Sequence, residues 1–93
     1  MANIEQFERD DVGTSGTIGA DEAAEALFQL GIMYSLGHTV ARDLVTAHKW
    51  FNLAALRGYE SAREYRREIA SEMTAEEVAA AQRMAREWLM TVH

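Results

Sequence analysis

The sequence predicts an all-α protein, and three observations lead to that prediction. Apolar residues recur at intervals of three and four along most of the chain, which is the spacing of one helical face. None of the 93 residues is proline, the residue that most disrupts helix interiors. No segment shows the apolar–polar alternation that is typical of a half-buried strand. We therefore expect four helices and no sheet.

The first two predicted helices are separated by a glycine and a loop. The first helix is predicted to begin near Ala20, and Gly37 supplies a favourable stop. The second is predicted over residues 44–57, with Asp43 as its N-cap and Gly58 after its end. Its expected inward face comprises Ala47, Trp50, Phe51, Ala54 and Ala55.

Two further helices are predicted in the C-terminal part. The third covers about residues 60–72, and its apolar stripe comprises Ala62, Tyr65 and Ile69. The fourth covers about residues 75–91, and Thr74 followed by Glu77 forms the pattern of a capping box at its start. Its apolar stripe comprises Val78, Ala81, Ala85, Trp88 and Val92.

The N-terminal residues 1–19 have a different composition from the rest. They combine acidic residues with the segment GTSGTIG, which is typical of a linker. We expect a flexible acidic tail here and one helical domain over residues 20–93. The tail lacks the basic and apolar regions of a signal peptide, and no apolar run is long enough to span a membrane, so a cytoplasmic protein is expected.

The net charge of −6 restricts the kinds of partner. Residues 1–40 hold seven acids and one base, whereas residues 41–93 hold eight of each. Such a chain should repel nucleic acid and anionic membranes, so neither is expected as a partner. The excess of acids is compatible with a basic peptide partner, but a role in solubility alone is the favoured explanation.

The sequence offers no constellation of residues for catalysis. It has no cysteine, no serine in a nucleophile motif, and no P-loop lysine after its glycine-rich segment. His38, His48 and His93 lack the spacing of metal ligands and are expected to be solvated. We therefore expect a non-enzymatic protein with no cofactor and no metal. Trp50, Phe51 and Trp88 are better explained as core residues than as a ligand pocket.

Gly31 lies inside the apolar stripe of the first helix, where it costs about 1 kcal/mol relative to alanine. A missing side chain at this position permits close approach of a neighbouring helix. Small residues at Ala47, Ala54 and Ala55 suggest that the second helix packs closely there. Tight contact of Tyr34, Trp50 and Phe51 around the glycine is expected to offset its cost.

Residues 26–62, ALFQLGIMYSLGHTVARDLVTAHKWFNLAALRGYESA, resemble a Sel-one-like repeat, a branch of the tetratricopeptide-like helical repeats. The chain departs from the family pattern at Thr39, Ala41 and Thr46. The matching positions run without a gap and are Ala26, Leu30, Gly31, Met33, Tyr34, Gly37, Val40, Asp43, Ala47, Trp50, Phe51, Ala54, Ala55, Gly58 and Ala62.

The resemblance implies two antiparallel helical hairpins stacked as a short solenoid, with residues 60–93 as a degenerate second hairpin that caps the first. It also implies a protein–protein interaction module, an adaptor or scaffold, that binds a partner segment on its concave face. In family register, the outward concave positions are Glu25, Phe28, Ile32, Ser35, Ser61, Glu64, Glu68 and Ser71.

The sequence is also compatible with two alternatives to an open binding face. The N-terminal tail carries Ile4 and Phe7, which could fold back over Phe28 and Ile32. Alternatively, the alanine-rich fourth helix could pair with its copy, so that the chain forms a homodimer as a self-assembling structural protein.

Overall fold

The structure is a computed structural model that describes residues 15–91. These residues form four α-helices, which are α1 (Ser15–Leu36), α2 (Leu44–Leu56), α3 (Glu60–Ala70) and α4 (Ala75–Thr91). No strand occurs within the described range, so the all-α prediction is confirmed. The predicted tail lies outside the described residues as far as residue 14, as does the proposed docking of Ile4 and Phe7. Val92 and His93 also lie outside them.

Helix α1 begins earlier than the sequence pattern predicts. Its first residue is Ser15, so the helix includes residues 15–19, which were expected to form a linker before a start near Ala20. Serine and glycine lower helix propensity by only about 0.5–1 kcal/mol per residue. A helix that is already formed over residues 20–36 gains one hydrogen bond for each residue added. The linker prediction is therefore wrong for these five residues.

Helix α2 lies at the centre of the molecule. Helices α1, α3 and α4 each pack against it, whereas α3 and α4 make few close backbone contacts with each other. Phe51 and Leu53 are the largest fully buried side chains. Because three helices surround α2, its buried residues extend beyond one stripe, and they are Ala47, His48, Phe51, Leu53, Ala54 and Ala55.

Gly31 creates space for a side chain rather than for a backbone. A Cβ atom at this position would lie 2.5 Å from two ring carbons of Phe51. The ring of Phe51 thus lies directly against the α1 backbone, and any larger residue at position 31 would overlap it. The expected close packing of α1 and α2 is present. The expected contact between Phe51 and this glycine is confirmed, and the nearest atoms belong to that ring rather than to the small residues of α2.

The residues predicted to terminate α1 and to cap α2 have these roles in the structure. Gly37 has a φ of +73° and its N–H donates to the Met33 carbonyl at 3.0 Å, which terminates α1. At the start of α2, Asp43 acts as N-cap, since its Oδ1 accepts from the Thr46 N–H at 3.1 Å. Gly58, with a φ of +94°, follows the end of α2.

The start of α4 has the predicted capping box. The Thr74 N–H donates to Glu77 Oε1 at 2.9 Å, and the Glu77 N–H donates to Thr74 Oγ1 at 3.0 Å. Helix α3 ends at Ala70, two residues before the predicted end. The short connection 71–74 therefore places the start of α4 directly after the last turn of α3.

Candidate functional site

Phe28 is the point where α1 meets α3. Its ring stacks on Tyr59 with centroids 4.6 Å apart, and it contacts the edge of Tyr65 at 5.1 Å. It also lies 5.6 Å from the ring of Phe51 on α2. These three rings leave Phe28 only 8% exposed. The expectation that Phe28 faces outward is therefore wrong, because α1 packs against an aromatic cluster on two neighbouring elements.

Tyr65 occupies the surface above Phe28. Its side chain is 41% exposed, although its ring also contacts Phe51 at 5.5 Å. The sequence pattern assigned Tyr65 to the buried stripe of α3. Its neighbours on that stripe, Ala62 and Ile69, are buried as predicted. Tyr65 thus forms the accessible upper side of a cluster whose base is Phe28.

Two rows of side chains flank the Phe28–Tyr65 contact. Glu25 and Ile32 lie three residues before and four residues after Phe28, so they are its neighbours on the surface of α1. Ser61 lies four residues before Tyr65 and Glu68 three residues after it, so they are its neighbours on the surface of α3. The contact between the two rings places these residues around one point on the surface. We call this surface the α1/α3 face, and it comprises Glu25, Ile32, Ser61, Tyr65 and Glu68.

The exposure of these residues differs along the face. Glu25, Ser61 and Glu68 are exposed, whereas Ile32 is half-buried and packs against the core. The face therefore has an apolar centre, made by Ile32 and Tyr65, between carboxylates on both helices. Five of the eight residues expected to bind a partner lie on this face or at its base, and they are Glu25, Phe28, Ile32, Ser61 and Glu68.

The other three predicted binding residues have local contacts. The Ser35 hydroxyl donates to the Ile32 carbonyl at 3.0 Å, and the Ser71 hydroxyl donates to the Glu68 carbonyl at 2.6 Å. Glu64 forms an exposed salt bridge with Arg67 at 2.8 Å. Ser71 is the C-cap of α3 and lies beyond its last helical turn. These side chains are therefore less available to a partner than Glu25 or Glu68.

Arg42 closes one end of the α1/α3 face. Its Nε donates to the carbonyl of Ser35 at the end of α1, at 2.9 Å. Its Nη2 lies 3.3 Å from Glu72 Oε1, just after α3. An exposed ion pair of this kind contributes at most about 1 kcal/mol. Its effect is to connect the C-terminal ends of α1 and α3, and the sequence pattern gave no sign of this pairing across 30 residues.

The carboxylates of the face have no cationic partner among the described residues. Glu25 and Glu68 form no salt bridge within the described part of the chain, and neither does Glu22, one turn before Glu25. The nearby Arg42 and Arg67 are each already paired with another carboxylate. The α1/α3 face therefore carries carboxylates that no described cation pairs with.

His48 is buried, contrary to the expectation of a solvated ring. Its side chain is 3% exposed, and its Nδ1 has no hydrogen-bond partner among the described residues. Burial lowers the pKa of His48 below its ordinary value, and the positive charge of Arg66 lowers the pKa further. Arg66 itself donates to Asn52 Oδ1 at 2.6 Å, one turn after His48 on α2. His48 is thus a neutral core residue between α2 and α3. His38 is exposed as predicted.

The tryptophans form a second aromatic contact, between α2 and α4. Trp50 and Trp88 meet edge to face with centroids 5.7 Å apart, and Lys49 Nζ lies 4.2 Å above the Trp50 ring. The indole N–H of Trp50 is buried and has no acceptor in the described range. No cavity opens beside these rings or elsewhere in the described part of the molecule. The rings pack as core residues rather than line a pocket.

The described residues show no arrangement that would hold a metal ion. Nowhere between residues 15 and 91 do three or more histidine or acidic side chains converge on one point. In the same range, no helix has both the length and the apolar character needed to cross a bilayer.

Comparisons of the chain with protein-family models, with curated proteins and with solved structures found no match.

Proposed function

We propose that this protein is a non-enzymatic interaction module that binds a segment of a protein partner along the α1/α3 face. The observation that supports this most is the Phe28–Tyr65 contact. It places an accessible aromatic ring, at 41% exposure, against Phe28, whose neighbours on the surface of α1 are Glu25 and Ile32. A central apolar anchor with a polar rim is the usual anatomy of a protein interface.

We also propose that the fold is a Sel-one-like repeat with a cap. Under this proposal, α1 and α2 form the first hairpin, α3 and α4 form the second, and the α1/α3 face is the concave surface. The resemblance gains support from the roles of its glycines, since Gly31 accommodates Phe51 and Gly37 and Gly58 adopt positive φ. Helix α4 packs on α2 and makes few close backbone contacts with α3, so the second hairpin would be an open, degenerate one.

A blocking substitution tests the proposed function. Peptides selected from a phage-displayed random library against the full chain would be synthesised and titrated by fluorescence anisotropy. Ser61→Arg places a long side chain beside Tyr65, and we expect it to weaken binding at least about tenfold, which corresponds to about 1.4 kcal/mol. Gln82→Arg on α4 is the matched control, because Gln82 is also an exposed helical residue. Equal affinities for the two variants would contradict the proposal.

A homodimer through α4 is the second candidate function. The last turns of α4 expose Met90 at 74% and part of Leu89, next to the half-buried Trp88. Exposed apolar groups in one cluster are a common feature of self-association surfaces. Light scattering at micromolar and tens-of-micromolar concentrations distinguishes the candidates. A mass that stays at 10.4 kDa favours the interaction module, and a mass that doubles with concentration favours the homodimer.

A further inference from the structure

We infer that the partner of the α1/α3 face is a basic segment, with lysine or arginine on both sides of one aliphatic or aromatic anchor. This inference rests on the proposed function and specifies the chemistry of the partner.

The charge of the face is not neutralised from within the described part of the chain. Glu22 and Glu25 lie one turn apart on α1, and Glu68 lies on α3; none of the three forms a salt bridge with another described residue. Arg42 and Arg67 are already engaged by Glu72 and Glu64. A cation brought by a partner would therefore meet carboxylates with free acceptor capacity.

The apolar centre specifies where the partner's anchor would lie. Tyr65 is exposed on the side away from Phe51, and Ile32 is half-buried beside Phe28. One aliphatic or aromatic side chain could pack on Tyr65 and Ile32 at once. Residues on either side of that anchor would then lie beside Glu25 on α1 or Glu68 on α3. Positive charges in those flanking positions complement the face.

The same charge disfavours two other occupants. Residues 1–14 of this chain contain Glu5, Glu8, Asp10 and Asp11 against a single basic residue, Arg9. A second copy of the chain brings a net charge of −6. The N-terminal segment would place carboxylates beside carboxylates, and a second copy would approach against net charge of the same sign; both are unfavourable. A basic segment from another protein is the occupant that fits.

Parallel selections test the inference. A phage-displayed library of random peptides, each about 12 residues long, would be selected against the full chain and against the Glu25→Lys/Glu68→Lys variant. The control is Glu76→Lys/Glu87→Lys, which changes the net charge equally on exposed positions of α4. We expect the full chain and the control to enrich lysine and arginine around one apolar residue. We expect peptides selected against the Glu25→Lys/Glu68→Lys variant to lack this enrichment in lysine and arginine.

Titrations of the selected peptides provide the second measurement. The Glu25→Lys/Glu68→Lys variant should bind them about 3- to 10-fold more weakly than the control variant does. Affinity for the full chain should also fall as sodium chloride rises from about 50 to about 500 mM, because exposed charge pairs are screened. Circular dichroism verifies that both variants keep their helices.

Three results would overturn the inference, and they can be told apart from failure of the proposed function. Peptides that are blocked by Ser61→Arg, yet are neutral or acidic and insensitive to salt, would overturn the basic partner and leave the interaction face in place. A synthetic peptide of residues 1–14 that binds this face more tightly than the selected peptides would assign the face to the chain's own N-terminus. Peptides unaffected by Ser61→Arg would overturn both proposals.

Discussion

Replacing Gly31 with alanine should destabilise the protein, although alanine is the better helix former. On an open helix surface this change would stabilise by up to about 1 kcal/mol. Here the added Cβ would lie 2.5 Å from two ring carbons of Phe51. The Phe51 ring is 0% exposed and is held between Phe28 and Tyr65, so it has little room to move. Overpacking of this kind costs about 1–3 kcal/mol. We expect a net loss of about 1–2 kcal/mol.

A double-mutant cycle isolates the cause of that loss. Urea denaturation of the wild type, Gly31→Ala, Phe51→Leu and the double variant gives the free energy of unfolding for each protein. Phe51→Leu removes the ring atoms that the new Cβ would meet. In that background, Gly31→Ala should be neutral or stabilising. A Gly31→Ala effect of the same size in both backgrounds, or a gain in the wild-type background, would refute the role assigned to the glycine.

Three further predictions concern the cap, the buried histidine and the aromatic cluster. Thr74→Ala should lower the free energy of unfolding by about 1 kcal/mol in urea denaturation, because it removes the hydroxyl that accepts from the α4 backbone. Burial lowers the pKa of His48 below 6.5, so the unfolded chain binds a proton at a higher pH than the folded chain, and stability should decline as the pH falls below about 6.5. His48→Leu should reduce that decline in pH-dependent thermal melts, whereas the exposed His38→Gln should not. Phe28→Ala should cost about 3–5 kcal/mol in urea denaturation, and Met33→Ala, which truncates an exposed side chain of the same helix, should cost much less.

The sequence predicted those features whose causes are local. Asp43 lies directly before α2, and Thr74 and Glu77 are three residues apart, so each cap depends on neighbouring residues only. Gly37 ends α1 for the same kind of reason, because glycine adopts a positive φ at little cost. The helix boundaries of α2 and α4 followed directly from these signals.

The features that the sequence did not predict depend on contacts between distant elements. Phe28 was expected to be exposed because the pattern of α1 does not show that Tyr59 and Tyr65 cover it. His48 was expected to be solvated because a single helical stripe cannot represent α2, which is covered on three sides. The candidate site shows the same limit, since Glu25 and Glu68 were predicted but Tyr65, at its centre, was assigned to the core.

Amide chemical shifts test the central claim most directly. The full chain would be labelled with nitrogen-15 and titrated with a peptide selected from the phage-displayed library. Binding at the α1/α3 face predicts that the largest shift changes fall around Glu25, Ile32 and Tyr65, and that amides near Met90 on α4 change little. The account would be contradicted if the largest shift changes fell on α4, or if they were spread over the chain without a maximum on α1 and α3.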